Sequence, residues 1–362
     1  MRVLLISKAM RVPSTHSRAT AIGREVDLTL IVPDRWPGYA DEALPAPEGY
    51  ERMELPVVGP GHNHLHLYRG LGRVFRQARP DLVHVDEEHY SLVTYQVGLV
   101  AHRAGVPFVP YTWQNIQRVY PPPFRWTERW VLRHAAHVLC GNREAADVLR
   151  AKGYGGATTV VPQFGLDPSF LERRAPARER FGLPERAYLV AYAGRLIEAK
   201  GVDHLIRVVR EVPEAHLVIV GHGPARERLE RLALPLAERV HFLGPRPSSE
   251  LPALLASVDV LALPSRTTRT WKEQFGRILV EAMAQARPVL GSDSGEIPNV
   301  VGEAGLVAAE DDVDAWRDAL ERLRDPVLRE RLGAIGQDRA RSFAQTTVAA
   351  ATVDAYRLAH GG

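Results

Sequence analysis

Short β-branched or leucine-rich runs alternate with longer helical patterns along the whole chain, and few folds accept that alternation. It is the pattern of strand–helix–strand units, in which each crossover returns the chain to a parallel sheet. The predicted strands of the first series are 3–7, 27–32, 82–85, 108–111, 137–140 and 159–161, and those of the second are 188–193, 216–220, 240–243, 260–263 and 288–291. Between the two series runs VPQFGLDPSFLERRAPARERFGLP (161–184), where Pro, Gly and charge accumulate as they do in a hinge. The fold class read from this is α/β, with two Rossmann-like doubly wound domains facing across a cleft. The predicted division is 1–166, 167–345 and a tail, 346–362, whose helical pattern VAAATVDAYRLAH suits packing back towards the first domain.

The bulk numbers agree with two domains and narrow the functions. A chain of 362 residues is too long for one ordinary core. With 45% hydrophobic and 25% charged residues it has the composition of a globular protein. Its 46 basic and 43 acidic residues leave only +3, which argues against a dedicated nucleic-acid binder. Positive charge is almost all arginine; the lysines are Lys8, Lys152, Lys200 and Lys272. A single cysteine, Cys140, excludes an internal disulfide and a cysteine metal cluster, and fits a reducing cytoplasm. The opening run MRVLLIS is too short for a signal peptide, and no later run approaches the roughly 20 apolar residues of a bilayer span. The expected location is cytoplasmic, with any membrane contact peripheral, at the inner face.

Ligands of open parallel sheets bind beyond the carboxyl ends of the strands, so chemistry is sought just after them. Strand 188–193 runs into Gly194-Arg195-Leu196-Ile197-Glu198-Ala199-Lys200-Gly201, after which a helix pattern begins. Glycine lets a ligand approach the backbone, the Arg195 guanidinium grips oxygens in pairs, and Lys200 is a mobile point charge; together they suit a diphosphate. The second element is WKEQFGRILVEAMA, from Trp271 to Ala284. Phe275-Gly276 breaks a loop, and a helix is predicted from Arg277 with its free amides towards an anion. Glu273 precedes that helix and Glu281 lies more than a turn inside it. The two carboxylates therefore cannot share a metal or a proton, and they address different parts of one extended ligand, each suited to vicinal hydroxyls.

GRLIEAKG followed by EQFGRILVEAMA resembles the signature of the family 4 retaining glycosyltransferases of GT-B fold, in which two glutamates are separated by seven residues. VPQFGLD (161–167), VIVGHGP (218–224), VHFLGP (240–245) and LPSR (263–266) are also similar, so the resemblance covers most of the chain. It implies a first domain that binds a hydroxyl acceptor (a sugar, glycolipid or small molecule) and a second that binds a nucleotide-sugar donor, a UDP- or GDP-sugar. By position, Gly194, Arg195 and Lys200 would hold the diphosphate, Glu273 the hydroxyls of the transferred sugar and Glu281 those of the ribose. Amides around Phe275, Gly276 and Arg277 would assist, while Gly221, Gly223, Phe242 and Leu243 would frame the base. The implied reaction is transfer of a hexose-type sugar with retention, without cofactor or obligatory metal, in glycolipid or cell-surface polysaccharide synthesis. Arg195, Lys200 and Glu273 would carry the chemistry by front-face displacement.

The acceptor half departs from the family pattern. The loop KAMRVPSTHSRAT after the first strand lacks the glycine pair often seen there, and Trp113-Gln114 stands where many relatives carry a histidine. The acceptor-side candidates are His84, Trp113, Gln114, Asn115 and His16, with His84 open to reading as a satisfied strand-end histidine. In HLYRGLGRVFRQAR (66–79), Arg69, Arg73, Arg76 and Arg79 are spaced as one helical stripe, either a solvated face or a seat for anionic headgroups or a phosphorylated acceptor. Two rival functions remain: a sugar-nucleotide epimerase of the same fold, and a non-catalytic sugar-nucleotide-binding protein. A dinucleotide dehydrogenase is disfavoured because no Gly-x-Gly-x-x-Gly follows the first strand.

Overall fold

The computed structural model describes residues 1–38, 44–236 and 238–361. The chain divides into two compact units, Met1–Gly165 with Gln345–Gly362, and Leu166–Ala344.

The first unit is built on a parallel seven-stranded sheet in the order Glu51–Leu55, Asp27–Pro33, Arg2–Ile6, Leu82–Val85, Phe108–Thr112, His137–Cys140, Ala157–Val160. Its central strands are buried along their whole length, which is why they read as near-continuous apolar runs rather than alternating ones. Arg2–Ile6 pairs with Asp27–Pro33 on one side and Leu82–Val85 on the other, so the strand order reverses there. A crevice opens at such a switch point, and the segments after Ile6 and Val85 meet in it.

The second unit repeats the plan with six strands: Val240–Gly244, Ala215–Val220, Tyr188–Ala193, Val260–Leu263, Val289–Ser292, Gly305–Ala308. Here the switch lies between Tyr188–Ala193 and Val260–Leu263. The two donor motifs follow these two neighbouring strands, which brings segments 73 residues apart, at Lys200 and Glu273, into contact.

The C-terminal helix, Gln345–Gly361, belongs to the first unit. It inserts Val348, Ala349, Val353, Tyr356 and Ala359 into a core with Val3, Leu5, Ile22 and Val109.

Two expectations need correction. The arginine stripe is not one helix: the helix runs only Leu71–Ala78, and Arg69 follows the short strand Leu67–Tyr68. Gly70, with φ of 81°, turns the chain into the helix, Arg69 N is held by Pro56 O, and Arg79 leaves the helix with φ of 43°. Only Arg73 and Arg76 share helical geometry. The edge strands Glu51–Leu55 and Gly305–Ala308 were also not predicted; both are partly exposed, and ERMEL alternates charged with apolar residues. No helix among the described residues is long and apolar enough to cross a membrane.

Candidate functional site

At the carboxyl end of Tyr188–Ala193 the chain must turn sharply, and the turn is packed backbone against backbone. A Cβ on Gly221 would lie 1.9 Å from the Gly194 carbonyl oxygen, and Gly221 has φ of 135°, so no larger residue fits. Tyr192 Oη donates to Arg195 O at 2.8 Å and Leu196 N to His222 O at 2.8 Å, which fix the turn from below. The Arg195 side chain stands exposed and makes no ion pair among the described residues.

Lys200 turns inwards. Its Nζ donates to Glu273 Oε2, which also accepts from Ser265 Oγ at 2.6 Å. The ammonium lies 5.0 Å from the centroid of the Trp271 ring, within cation–π range. Glu273 is 7% exposed. Its backbone is clamped as well: Glu296 N donates to Glu273 O at 3.1 Å, and a Cβ on Gly295, with φ of 55°, would meet that oxygen at 2.1 Å. Arg266, on the loop that carries Ser265, donates to Asp203 at 2.7 and 3.0 Å and to Asp311 at 2.7 and 2.9 Å. Its backbone N binds Ala199 O, tying the two motif loops together. Ser265 and Arg266 were read from the sequence only as part of the LPSR segment, without a role, and Trp271 only as a neighbour of Glu273; Gly295 was not singled out.

The helix Arg277–Ala284 starts after Gly276, which has φ of 77° and leaves the first amides without a side-chain cap. Glu281, just over one turn in, is 5% exposed. Burial raises its carboxyl pKa, and Arg277, whose Nε donates to Oε1 at 2.8 Å, opposes that shift. A cavity of about 400 Å³ opens between Gly194, Arg195, Gly221, His222, Arg246, Arg277 and Glu281. Its lining holds both the Arg195 cation and the buried Glu281 carboxylate. Gly223, Phe242 and Leu243 lie outside its lining: Gly223 packs on the Leu196 carbonyl, and Phe242 lies under the Arg226 guanidinium, 6.0 Å away. Phe275 packs edge-on against Phe343 at 5.5 Å, so its ring serves the core. Asp312-Val313-Asp314 is an Asp-x-Asp triplet, but Asp312 caps the helix Val313–Arg322 by accepting from Ala315 N, and no group of three potential metal-ligating side chains occurs among the described residues.

The acceptor-side candidates do not form one constellation. His84 is fully buried, its Nδ1 2.5 Å from Tyr356 Oη, and burial drives its pKa down to about 3. The neutral imidazole packs in the core against Tyr356, in the manner of the strand-end histidine left open above. His16 is likewise buried, with Nδ1 2.5 Å from Tyr50 Oη, and burial lowers its pKa. Trp113 donates from Nε1 to Gln163 at 2.9 Å, and Gln114 is held by Lys152 at 3.0 Å and by Ile116 O at 3.1 Å; Asn115 is buried beside it. Sequence reasoning missed what does gather at the switch point of this sheet. Asp86 accepts from Ser7 Oγ at 2.7 Å and Arg18 at 2.9 Å, and Glu87 pairs with Lys8. Burial pushes the Glu87 carboxyl up to about 7, against the pull of Lys8.

Residues 187–325 match the family model for glycosyl transferases group 1, and residues 15–163 match that for a glycosyl transferase 4-like domain. The chain is 34% identical over 232 residues to an alpha-D-kanosaminyltransferase of Streptomyces kanamyceticus, covering 60% of this chain and 58% of that one, less than two thirds of the relative's length. It is 31% identical over 347 residues to a D-inositol 3-phosphate glycosyltransferase of Streptomyces scabiei, covering 86% and 75%. The fold matches that of Anabaena Alr3699/HepE, solved in complex with UDP and glucose, with a TM-score of 0.70 at 20% identity over 99% of both chains. The chain belongs to the group 1, family 4 glycosyl transferases, and its fold is GT-B.

Proposed function

We propose that the chain transfers a hexose-type sugar, with retention, from a nucleotide-sugar donor to a hydroxyl acceptor, without a metal. The observation that carries this reading is the Lys200–Glu273–Ser265 cluster, on the same two motif segments whose Arg195 and Glu281 line one cavity. An extended donor would lay its ribose on Glu281, its diphosphate on Arg195 and Lys200, and its sugar hydroxyls on Glu273. Departure of the nucleoside diphosphate concentrates charge on the bridging oxygen, and fixed cations lower the barrier where that charge develops. Front-face displacement needs no separate protein nucleophile, because the leaving phosphate oxygen takes the proton of the attacking hydroxyl. That UDP and glucose bind a protein of the same fold supports a UDP-sugar among the donors to be tried. Synthesis of a glycolipid or cell-surface polysaccharide is the context proposed for it.

A thermal-shift screen of UDP-, GDP- and ADP-sugars identifies the donor, since a ligand of the folded state raises the unfolding midpoint by mass action. Turnover of the labelled donor then tests transfer. Lys200→Ala is expected to depress kcat about 100-fold or more while changing donor affinity much less; an unchanged kcat removes Lys200 from the leaving-group role. Activity is expected to survive EDTA. Epimerised donor formed without acceptor would replace transfer by epimerisation, and binding without any turnover would leave a sensor.

A further inference from the structure

In the second unit His216 and His241 are each the second residue of a strand, Ala215–Val220 and Val240–Gly244. The strands run parallel, with Leu217 opposite Val240 and Val218 opposite His241, so the period of two puts both imidazoles on one face, at the amino ends. The donor motifs leave the carboxyl ends of Tyr188–Ala193 and Val260–Leu263 in the same sheet, so this pair stands apart from them. His216 Nδ1 lies 3.2 Å from His241 Nε2, and the ring planes are 7° from parallel. Both residues are partly exposed, open to water and to a small ion. Burial, with Arg239 acting on His216 and His216 acting on His241, holds both pKa values below that of an ordinary histidine, so both rings are neutral at pH 7. The Arg239 guanidinium is itself committed to the carbonyls of Val209, Val212, Pro213 and Ala215.

Two neutral imidazoles facing nitrogen to nitrogen hold one proton between them, one ring donating and the other accepting. The same separation suits a metal ion in place of that proton. Nitrogens about 2.0–2.1 Å from one ion stand about 2.9 Å apart at a right angle and about 3.3–3.4 Å apart at the tetrahedral angle, and 3.2 Å lies between. The donating ring frees its facing nitrogen by carrying the proton on its far nitrogen instead, a change of tautomer with no net proton loss. His102 and His134 have closer centroids, 4.8 Å, but they meet at 73°, and His134 Nδ1 is 2.8 Å from Trp130 O; no nitrogen-to-nitrogen contact joins them among the described residues. We propose that His216 and His241 bind a late first-row divalent cation, Zn²⁺, Ni²⁺ or Cu²⁺, with water in the remaining positions. Imidazole suits these ions, whereas Mg²⁺ and Ca²⁺ take oxygen ligands. No third His, Cys, Asp or Glu side chain completes a set among the described residues, which leaves the rest of the coordination sphere open. Both ligands stand on strands whose backbones are already joined, so the ion finds the pair preorganised and ties the edge strand Val240–Gly244 to its neighbour.

The test uses the untagged full chain, stripped with EDTA and dialysed. Zn²⁺, Ni²⁺ and Mg²⁺ are titrated by calorimetry and by thermal shift into the parent, into His216→Gln/His241→Gln, and into His102→Gln/His134→Gln, which removes the other neighbouring imidazoles. Zn²⁺ and Ni²⁺ are expected to bind the parent and raise its unfolding midpoint, and Mg²⁺ to leave it unmoved. The strand pair should weaken binding at least about tenfold, the loss that follows even when only an outer partner of a metal is removed, while the control pair keeps it. Gln leaves neutral hydrogen-bonding side chains in place, and a metal-free melt coinciding with the parent's shows that the fold is kept. In the parent alone, Zn²⁺ should shield His216 and His241 from diethyl pyrocarbonate, read by peptide mapping, an arm that needs no variant to fold. Unchanged affinity in the strand pair, an equal loss in the control pair, an equal response to Mg²⁺, or unshielded rings would each overturn the proposal. No readout involves donor turnover, so the result is independent of the transferase reading, and turnover that survives EDTA is compatible with it.

Discussion

Glu281 is a carboxylate in a place hostile to charge, and that conflict is measurable. Its pKa is raised by burial, so in the folded protein it holds its proton over a range where the unfolded chain has released it. The folded state then binds more protons there, and stability falls as pH rises from the ordinary carboxylate range through the raised value. Glu281→Gln removes the penalty. The variant is expected to be more stable than the parent at pH 8, with the gap closing near pH 4, and to lose donor affinity about tenfold or more. Denaturant unfolding at the two pH values and a donor titration check both halves; an equal gain at both pH values would remove ionisation as the cause. Trp271 gives a second test at this scale. A cation–π contact is worth about 2 kcal/mol when desolvated, about a thirtyfold change in a rate that depends on it. Trp271→Leu should lower kcat by roughly that factor at most, Trp271→Phe should keep most of it, and KM should move little in either. Lys200 and Glu273 were both legible in the sequence, since a glycine, two cations and a helix start after a strand suit a diphosphate. Trp271 was not, because its role depends on a ring face placed over an ammonium 71 residues away in sequence, a relation no local pattern encodes.

At the scale of elements, the site is held by loops whose ends are tied to helices. Arg266 bridges the helix Val202–Glu211, through Asp203, to Asp311, and its own amide holds the loop of Lys200. Asp203 is nearly buried, with Arg207 at 3.3 Å and Arg228 at 3.8 Å as its other cations, so removing Arg266 takes away its closest, doubly bonded partner, a loss of about 3 kcal/mol. Arg266→Ala is expected to lower the unfolding midpoint by roughly 6–12 °C, at about 2–4 °C per kcal/mol for a domain of this size, and to raise KM for the donor. Calorimetry and steady-state kinetics test the two effects, and Arg266→Lys should rescue neither fully, because an ammonium cannot bridge two carboxylates in the plane of a fork. The strands that built this frame were mostly readable, because a strand buried on both faces writes a continuous apolar run such as LVIV at 217–220. ERMEL at 51–55 writes no such run, since an edge strand covers only one side of itself. The stripe at 69–79 misled for the opposite reason: its spacing is helical, but Gly70 takes a left-handed conformation and restarts the chain, and spacing alone does not see that.

For the whole molecule, what matters is that the two units are cut differently from the chain. The second is one continuous segment, Leu166–Ala344, with its own six-stranded sheet and core. The first is completed only by the last helix, which reaches its core after 179 residues spent in the other unit. Tyr356 places its hydroxyl against His84 deep in that core, and Val353 and Ala349 of the same helix share the core with Val3 and Leu5. Deleting the helix would expose several fully buried apolar side chains at about 1.5–3 kcal/mol each and leave His84 without its partner, which together approach the entire stability of a domain. The asymmetry makes a clean prediction. A fragment of residues 166–344 should fold in a single cooperative transition and keep nucleoside diphosphate affinity within about tenfold of the full chain, because every residue proposed for the donor lies in it. A fragment of residues 1–165 should show no cooperative transition alone, and should regain one when a peptide of residues 345–362 is added in excess. Circular dichroism melts with and without the peptide decide the second point, and a first unit that melts cooperatively without the helix would show that its sheet is self-sufficient and that the helix only caps it. Tyr356→Phe in the intact chain separates the two contributions of the helix: it removes the hydroxyl and keeps the packing, so its cost should stay at about 1–3 kcal/mol, the desolvation of one unpaired imidazole nitrogen.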